Sequence, residues 1–247
     1  MESWVPDADS AAAYPHRPPY PDDAIRLLVD LLRDTPRAVL DAGCGTGDLA
    51  RPLASDVERV DAVDPSAAML AEGRKLPGGD HPHLRWQRAT AEAAVLDPPY
   101  ALVTAGESLH WMDWPVALPR FAAALAPHGV LAIVERDFDG PPELAARLRA
   151  VFAEHSVVRD FRPVDVVAEI ERRGLFTRLG EQECGPAPWR PTVEEYLECR
   201  HSQRGFARSQ MGAAATAAFD AAIRDVVGTG PLDLTVAARV VWGTPTS

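Results

Sequence analysis

The feature that most constrains this chain is a glycine cluster set directly behind a short apolar run: Val39-Leu40-Asp41-Ala42-Gly43-Cys44-Gly45-Thr46-Gly47. An apolar triplet at 38–40 reads as a strand. The residues from Thr46 to about Ser55 read as a helix, with Pro52 an awkward presence inside it. Glycines between strand and helix let the backbone turn sharply and let a ligand approach without a Cβ in the way. In an open α/β sheet such a turn lies at the carboxyl ends of the strands, where ligands bind. A tight turn of purely structural use is the alternative, and alternating glycines behind an Asp weigh against it.

The rest of the chain supports that setting. Helix and strand patterns alternate: a helix over about 22–33, a strand at 60–63, a helix over about 65–74 with Asp64 or Ser66 as its cap, strands at 83–87 and 101–105, a helix at 115–125 capped by Asp113 and stopped by Pro127 and Gly129, and a strand at 130–134. Such alternation indicates βαβ units, a parallel sheet and helices on both faces. Beyond residue 138 the order changes. Helices are expected near 141–154, 163–173, 192–203 and 211–227, the third opened by a Thr192/Glu195 capping box, with strands near 175–183 and 234–242. The late strands would complete the sheet, and the helices between them would cover it. Residues 1–21, carrying Pro6, Pro15, Pro18, Pro19 and Pro21, read as an extended arm. The expected organisation is one domain overall: arm and first helix at 1–36, cofactor-binding core at 37–137, and remaining sheet with helical substrate cover at 138–247.

The glycine pattern also discriminates between ligands. A dinucleotide fingerprint needs G-x-G-x-x-G, and counting from Gly43 its last position falls on Asp48. An acid at the helix start is a poor neighbour for a pyrophosphate. A ligand with a cationic end and no phosphate fits better, so a NAD-dependent oxidoreductase is the weaker alternative.

These residues resemble the first motif of the class I S-adenosylmethionine-dependent methyltransferases, small-molecule type. The segment Val60-Asp61-Ala62-Val63-Asp64-Pro65-Ser66-Ala67-Ala68-Met69 resembles the family's second element. The resemblance implies a seven-stranded Rossmann-like α/β sheet with a helical cover, S-adenosylmethionine as cofactor and S-adenosylhomocysteine as product. It places Asp64 on both ribose hydroxyls, a role a carboxylate can fill because it accepts from two donors; capping the following helix is the other use for Asp64. Pro65 and Met69 follow it in the site. Asp41 would orient the loop near the methionine ammonium, with Ala42, Gly43 and Gly45 facing the methionine part. Thr90-Ala91-Glu92 resembles the adenine-contacting segment, with Thr90 where the family usually has Asp. Tyr100–Gly106 resembles the fourth strand, and Leu125-Ala126-Pro127-His128-Gly129 the helix–loop–strand that follows, with His128 where glycine is common. The likeness covers about 38–135. The arm Arg17-Pro18-Pro19-Tyr20-Pro21 resembles that of a trans-aconitate-methyltransferase-like subset, which makes Tyr14, Arg17 and Tyr20 candidates to close over the cofactor or simply to pack the arm.

On the acceptor side, Gly106, Glu107 and Ser108 follow the fourth strand and lead to His110 and Trp111. In the family this segment faces the transferable methyl. His110 is the candidate general base because its ordinary pKa lies near neutrality, although a histidine here can also serve as a plain hydrogen-bonding residue. Trp111, Trp189 and Tyr196 are candidate substrate contacts, and His155, Arg159, Arg162, Arg200 and His201 add polar groups to the cover. The resemblance implies methyl transfer to a small molecule, with hydroxyl or carboxylate favoured. A protein that holds S-adenosylmethionine or its product without methylating is the rival of another class.

Composition bounds the partners. Lys plus Arg is 25 against 36 Asp plus Glu, a formal charge of −11, with no basic run, which argues against nucleic acid. No apolar run reaches the ~20 residues of a spanning helix, and the acidic start MESWVPDADS has no signal-peptide pattern. Three scattered cysteines, Cys44, Cys184 and Cys199, suit a reducing cytoplasm and form no metal-ligand pair. The Ala, Arg, Pro and Asp bias is that of a high-GC bacterial genome, where such enzymes often serve secondary metabolism.

Overall fold

The computed structural model describes residues 6–159 and 164–246. In chain order the elements are α1 (Ala8–Ala13), α2 (Asp22–Asp30), β1 (Ala38–Ala42), α3 (Ala50–Leu53), β2 (Arg59–Asp64), α4 (Ala67–Gly73), β3 (Leu84–Arg88), β4 (Tyr100–Gly106) and α5 (Trp114–Ala124). There follow β5 (Leu125–Asp139), α6 (Pro142–His155), α7 (Val166–Arg172), β6 (Phe176–Trp189), α8 (Val193–His201), α9 (Arg208–Met211), α10 (Ala213–Val227) and β7 (Leu234–Pro245). The strands form one seven-stranded sheet in the order β3-β2-β1-β4-β5-β7-β6. β1 to β5 run parallel, and β7 is antiparallel to both β5 and β6. Strand order reverses between β1 and β4, so the crevice at their carboxyl ends is the topological switch point.

The central strands are apolar throughout because both faces are covered. On one face β1, β2 and β5 contribute Val39, Val60, Ala62 and Ala132 to a core with Leu28 of α2 and Leu53 of α3. On the other, Leu40, Val103, Leu131 and Ile133 pack against Leu118 and Phe121 of α5 and Ile170 of α7. A third core lies inside the cover, where Leu148, Tyr196, Leu197, Phe206, Phe219 and Ile223 come together. Its middle is Phe219, fully buried and stacked on Phe206 with ring centres 4.8 Å apart.

Local signals set the element boundaries. The Ser66 hydroxyl, not the Asp64 carboxylate, caps α4 by accepting from the Met69 N–H. The Thr192/Glu195 capping box opens α8 as expected.

The structure corrects three expectations. The arm is not wholly extended: Ala8–Ala13 is helical, capped by Asp7, and Tyr14–His16 forms a tighter turn. The prolines flank this alanine-rich stretch rather than interrupt it, so they bound a short helix instead of forbidding one. The helix expected from Thr46 to Ser55 is a single turn at Ala50–Leu53, because residues 43–49 are spent on the glycine turn. β5 is far longer than 130–134, extended by its antiparallel pairing with β7 from Leu131 to Asp139. Arg162 and the expected start of the helix at 163 lie outside the described residues. No helix among the described residues is long and apolar enough to cross a membrane.

Replacing Phe219 by Ala removes the centre of the cover core. The expected cost is about 3–5 kcal/mol, read as a lower midpoint in urea unfolding.

Candidate functional site

The glycine turn is strapped onto β2. The N–H groups of Gly43 and Cys44 donate to the Val63 carbonyl at 2.8 and 2.9 Å, and the Gly45 N–H donates to Asp64 Oδ2 at 2.9 Å. Two positions show why glycine is needed. Gly43 has φ +70°, and a Cβ there would meet Ser108 Cβ at 2.5 Å. Gly45 has φ +57°, and its Cβ would press on the Met69 methyl at 3.1 Å and face the Tyr14 ring at 3.7 Å. A backbone in the left-handed region with neighbours this close excludes other residues. The turn therefore brings Met69, Tyr14 and Ser108 to one place, and Ser108 Oγ donates to the Ala42 carbonyl at 2.7 Å.

Two buried carboxylates face the turn. Asp64 ends β2; besides Gly45 it accepts from the Ser66 N–H at 2.8 Å. Burial pushes its pKa up and these two N–H groups oppose the rise. Each of its oxygens has a further lone pair, so a vicinal diol can still be accepted. Asp41, at the end of β1, is 1% exposed. The Thr104 hydroxyl donates to its Oδ1 at 2.8 Å, and its Oδ2 makes no hydrogen bond among the described residues. Burial pushes its carboxyl up to about 7, against the Thr104 hydrogen bond. An orphaned, desolvated carboxylate oxygen beside a glycine turn is a receptor for a cation.

The cleft in front of the turn is narrow, and Tyr14, Tyr20, Asp41, Gly43, Glu107 and Arg136 line it. Two of its features were not legible in the sequence. The first is Arg136, whose side chain is 4% exposed. It packs over the Tyr20 ring at 4.4 Å, pairs with Asp48 at 3.2 Å and hydrogen bonds to the Pro18 carbonyl. It thus ties the arm to the residue that follows the glycine turn. Its only sequence signal was a charged pair interrupting the apolar run of β5. The second is the backbone of Glu107, which adopts φ +51°, the only positive value at a non-glycine residue among those described. Its N–H donates to the Val134 carbonyl and its carboxylate accepts from the Arg136 N–H, so β5 holds the strained residue in place. Burial pushes the Glu107 carboxyl up.

The arm closes from above. Arg17 lies over the Tyr14 ring at 3.9 Å, donates to its hydroxyl at 2.9 Å and reaches Ser202 of the cover at 2.8 Å. Tyr20 is buried, with its hydroxyl against Gly106. Tyr14, Arg17 and Tyr20 are therefore gathered at the cleft with Ala42, Gly43, Gly45 and Gly106.

The remaining candidates fall in different places. Pro65 follows Asp64 and is exposed, while Met69 is buried beneath the turn. Thr90 and Ala91 lie beyond β3, where the Thr90 carbonyl accepts from Ala93 and Ala94. Glu92 is engaged by the Asp113 N–H at 2.7 Å and so joins that segment to the one after β4. His110 and Trp111 occupy a tight turn at Leu109–Trp111, their ring centres 4.7 Å apart and both half-buried. Burial lowers the His110 pKa and so favours the neutral ring. Trp189 and Tyr196 instead pack in the cover core. Tyr196 is fully buried, its hydroxyl accepting from Arg200 at 2.6 Å. Trp189 lies 5.0 Å from Phe138 and 6.2 Å from Tyr196.

Residues 39–129 match the family model described as a methyltransferase domain. The chain also matches a solved structure assigned as a type II methyltransferase, from Anaeromyxobacter dehalogenans, with 27% identity, a TM-score of 0.68 and coverage of 93% of this chain and 99% of that one. Residues 39–129 place a class I S-adenosylmethionine-dependent methyltransferase domain in this chain. Among curated relatives, a malonyl-[acyl-carrier protein] O-methyltransferase of Halalkalibacterium halodurans is 28% identical over 67% of this chain and 65% of its own length. A trans-aconitate 2-methyltransferase of Methylobacterium nodulans is 31% identical over 59% of this chain and 62% of its own. The chain thus spans less than two thirds of these two relatives. A methyltransferase from Geobacter sulfurreducens holding S-adenosylhomocysteine shares the fold at 15% identity and a TM-score of 0.56. The cofactor of the methyltransferase domain is S-adenosylmethionine, and the residues fit it: a buried carboxylate for a diol, an orphaned one for an ammonium, and glycines at 43 and 45 that present backbone.

The raised Asp41 pKa has a pH signature. Its folded value lies above the unfolded value of about 3.8, so folding binds its proton more tightly than the unfolded chain does. Its contribution is fully present below pH ~4, falls as pH rises, and is exhausted above about 7. Asp41→Asn, which cannot ionise, should therefore gain stability relative to the wild type between pH 4.5 and 8. The gain should be roughly 2–4 kcal/mol, read from urea unfolding of the cofactor-free proteins.

Proposed function

We propose that this protein transfers the methyl group of S-adenosylmethionine to an oxygen of a small carboxylic acid, giving a methyl ester. The observation that carries the reading is the contrast across the cleft. Its floor holds the carboxylates Asp41, Asp64 and Glu107, suited to a cationic cofactor. The segment beyond β4 offers His110, half-buried with its ring beside that of Trp111, where burial favours the neutral imidazole. A base for an alcohol or amine is ordinarily oriented by a third group, and no such carboxylate is hydrogen bonded to His110 among the described residues. A carboxylate needs no base, because it reacts in its ionised form. The names of the two curated relatives agree, since malonyl and trans-aconitate both carry carboxylates.

On this reading Asp64 holds the ribose hydroxyls, with Thr90 and Ala91 beside the adenine. Asp41 and the backbone of Gly43 and Gly45 hold the methionine end, and Tyr14, Arg17 and Tyr20 close over it. The cofactor, when bound, supplies an electrophilic methyl on a sulfonium. The C–S bond breaks as the C–O bond forms, leaving a neutral thioether and a neutral ester with no proton moved. The chain contributes alignment and exclusion of water. Buried Tyr20 and half-buried Tyr14 serve the second purpose, as does the arm held down by Arg136.

The test is calorimetric titration with S-adenosylmethionine, S-adenosylhomocysteine and NAD, followed by a carboxylic-acid screen for S-adenosylhomocysteine release. Both sulfur ligands should bind in the micromolar range and NAD should not. Asp64→Ala should weaken them at least tenfold. Binding without release across the acids would favour a non-methylating binding protein, and NAD binding alone would sink the reading. His110→Ala should keep cofactor affinity and retain turnover within tenfold. A loss of 10²–10⁴ would mark His110 as a base and shift the acceptor to a hydroxyl or amine.

A further inference from the structure

Glu107 joins the cofactor side of the cleft to the acceptor segment, and it is held there against its backbone preference. Its φ of +51° lies in the left-handed region, where a residue with a Cβ is strained. Two bonds to β5 keep it there. Its N–H donates to the Val134 carbonyl at 2.9 Å, and its Oε1 accepts from the Arg136 N–H at 2.8 Å. Its Oε2 accepts no hydrogen bond among the described residues. Arg136 gives Glu107 its backbone N–H but turns its guanidinium to Asp48, at 3.2 Å, and to the Pro18 carbonyl. Arg136 and Arg17 therefore act on the Glu107 charge from a distance, Glu135 opposes them, and no guanidinium is paired with it among the described residues.

The second acid of this cleft is Asp41, 1% exposed, with its Oδ2 orphaned. Asp41 and Glu107 line the cleft together with Gly43 and Cys44. The methionine half of the cofactor carries two positive charges, the ammonium and the sulfonium. Asp41 takes the ammonium in the reading above, which leaves Glu107 for the sulfonium. The chain path agrees. Glu107 stands between Gly106, which lies against the Tyr20 hydroxyl, and Ser108, whose Oγ is 3.0 Å from the place a Cβ on Gly43 would take. Three residues further on is His110. The sulfonium is the cofactor charge that belongs at this junction, because its methyl has to reach the acceptor. It is also the charge that transfer abolishes, whereas the ammonium persists in the product. A carboxylate shielded from water attracts a cation far more strongly than a neutral thioether.

We propose that Glu107 is the residue by which the site tells the charged cofactor from its spent product: its carboxylate holds the sulfonium, and that hold lapses once the sulfur is a neutral thioether. This rests on the cofactor placement proposed above. The attraction favours the charged ground state, so Glu107 contributes affinity and selectivity rather than rate. Exchange of product for fresh cofactor is thereby driven by the charge lost in the reaction.

The experiment titrates the full chain calorimetrically with S-adenosylmethionine, S-adenosylhomocysteine and sinefungin, whose protonated amine puts a positive charge where the methylsulfonium stands. Glu107→Gln keeps an oxygen for the Arg136 N–H and removes the charge. It should weaken S-adenosylmethionine and sinefungin by about tenfold or more, and S-adenosylhomocysteine by less than about threefold. Glu107→Gly suits the left-handed backbone, so it removes the carboxylate without adding strain, and it should show the same selective loss. Glu107→Asp, which keeps the charge on a shorter side chain, should fall between. A merely structural role, or service to the ammonium that all three ligands carry, would weaken the three alike. That outcome, or unchanged affinity for all three, would overturn the proposal. A wild type that binds neither S-adenosylmethionine nor S-adenosylhomocysteine would instead sink the cofactor placement, and this inference with it.

Discussion

The hydrogen bonds that fasten the glycine turn to the end of β2 are the contact on which the rest of the site depends. Val63 and Asp64 receive three N–H groups from Gly43, Cys44 and Gly45. Without them a turn with so many left-handed residues would have no single conformation, because glycine gains its freedom at the cost of order. With them, Asp64 and Asp41 are fixed at adjacent strand ends, and Ser108, Met69 and Tyr14 close on Gly43 and Gly45. The parallel pairing of β1 with β2 from Ala38 to Ala42 sets that alignment. The site is a consequence of strand register.

Charge is then sorted across the cleft. The carboxylates Asp41, Asp64 and Glu107 lie on the strand-end floor, all with pKa values raised by burial. The guanidiniums of Arg17, Arg136 and Arg200 come from the arm, the extension of β5 and the cover. Buried carboxylates without partners are unfavourable in isolation and become favourable when a cation enters. Arg136 is the hinge of this arrangement. It neutralises Asp48 at the turn and receives the arm through Pro18 and Tyr20, and the backbone N–H of the same residue supports the strained Glu107.

The parts of the site that sit on strand ends were legible in the sequence because their signal is local. Asp41, Gly43 and Gly45 lie within one turn, and Asp64 ends the next apolar run, so spacing alone places them together. The arm was harder. Its prolines suggested extension, yet Ala8–Ala13 turns into a helix capped by Asp7, because the proline positions bracket the alanines. Tyr196 and Trp189 look like ligand contacts in a linear reading, but they pack inward, where the cover needs aromatic volume. Glu107 in its left-handed conformation has no local signature at all, and Arg136 shows only as part of a charged pair that interrupts the apolar run of β5.

The sequence by itself determined the sheet, its glycine turn and the acids that end β1 and β2, since hydrophobic period and turn chemistry act over a few residues. Only the tertiary structure decided what stands opposite them. Arg136 meets Pro18 across 118 positions of sequence and Arg17 meets Ser202 across 185. The Arg204 guanidinium reaches the Trp111 ring only because the helices between β6 and β7 fold back over the sheet. Contacts of that span depend on how the arm, the core and the cover pack against one another. No local pattern of residues encodes that packing, and it is what turns an acidic crevice into a cleft with two oppositely charged sides.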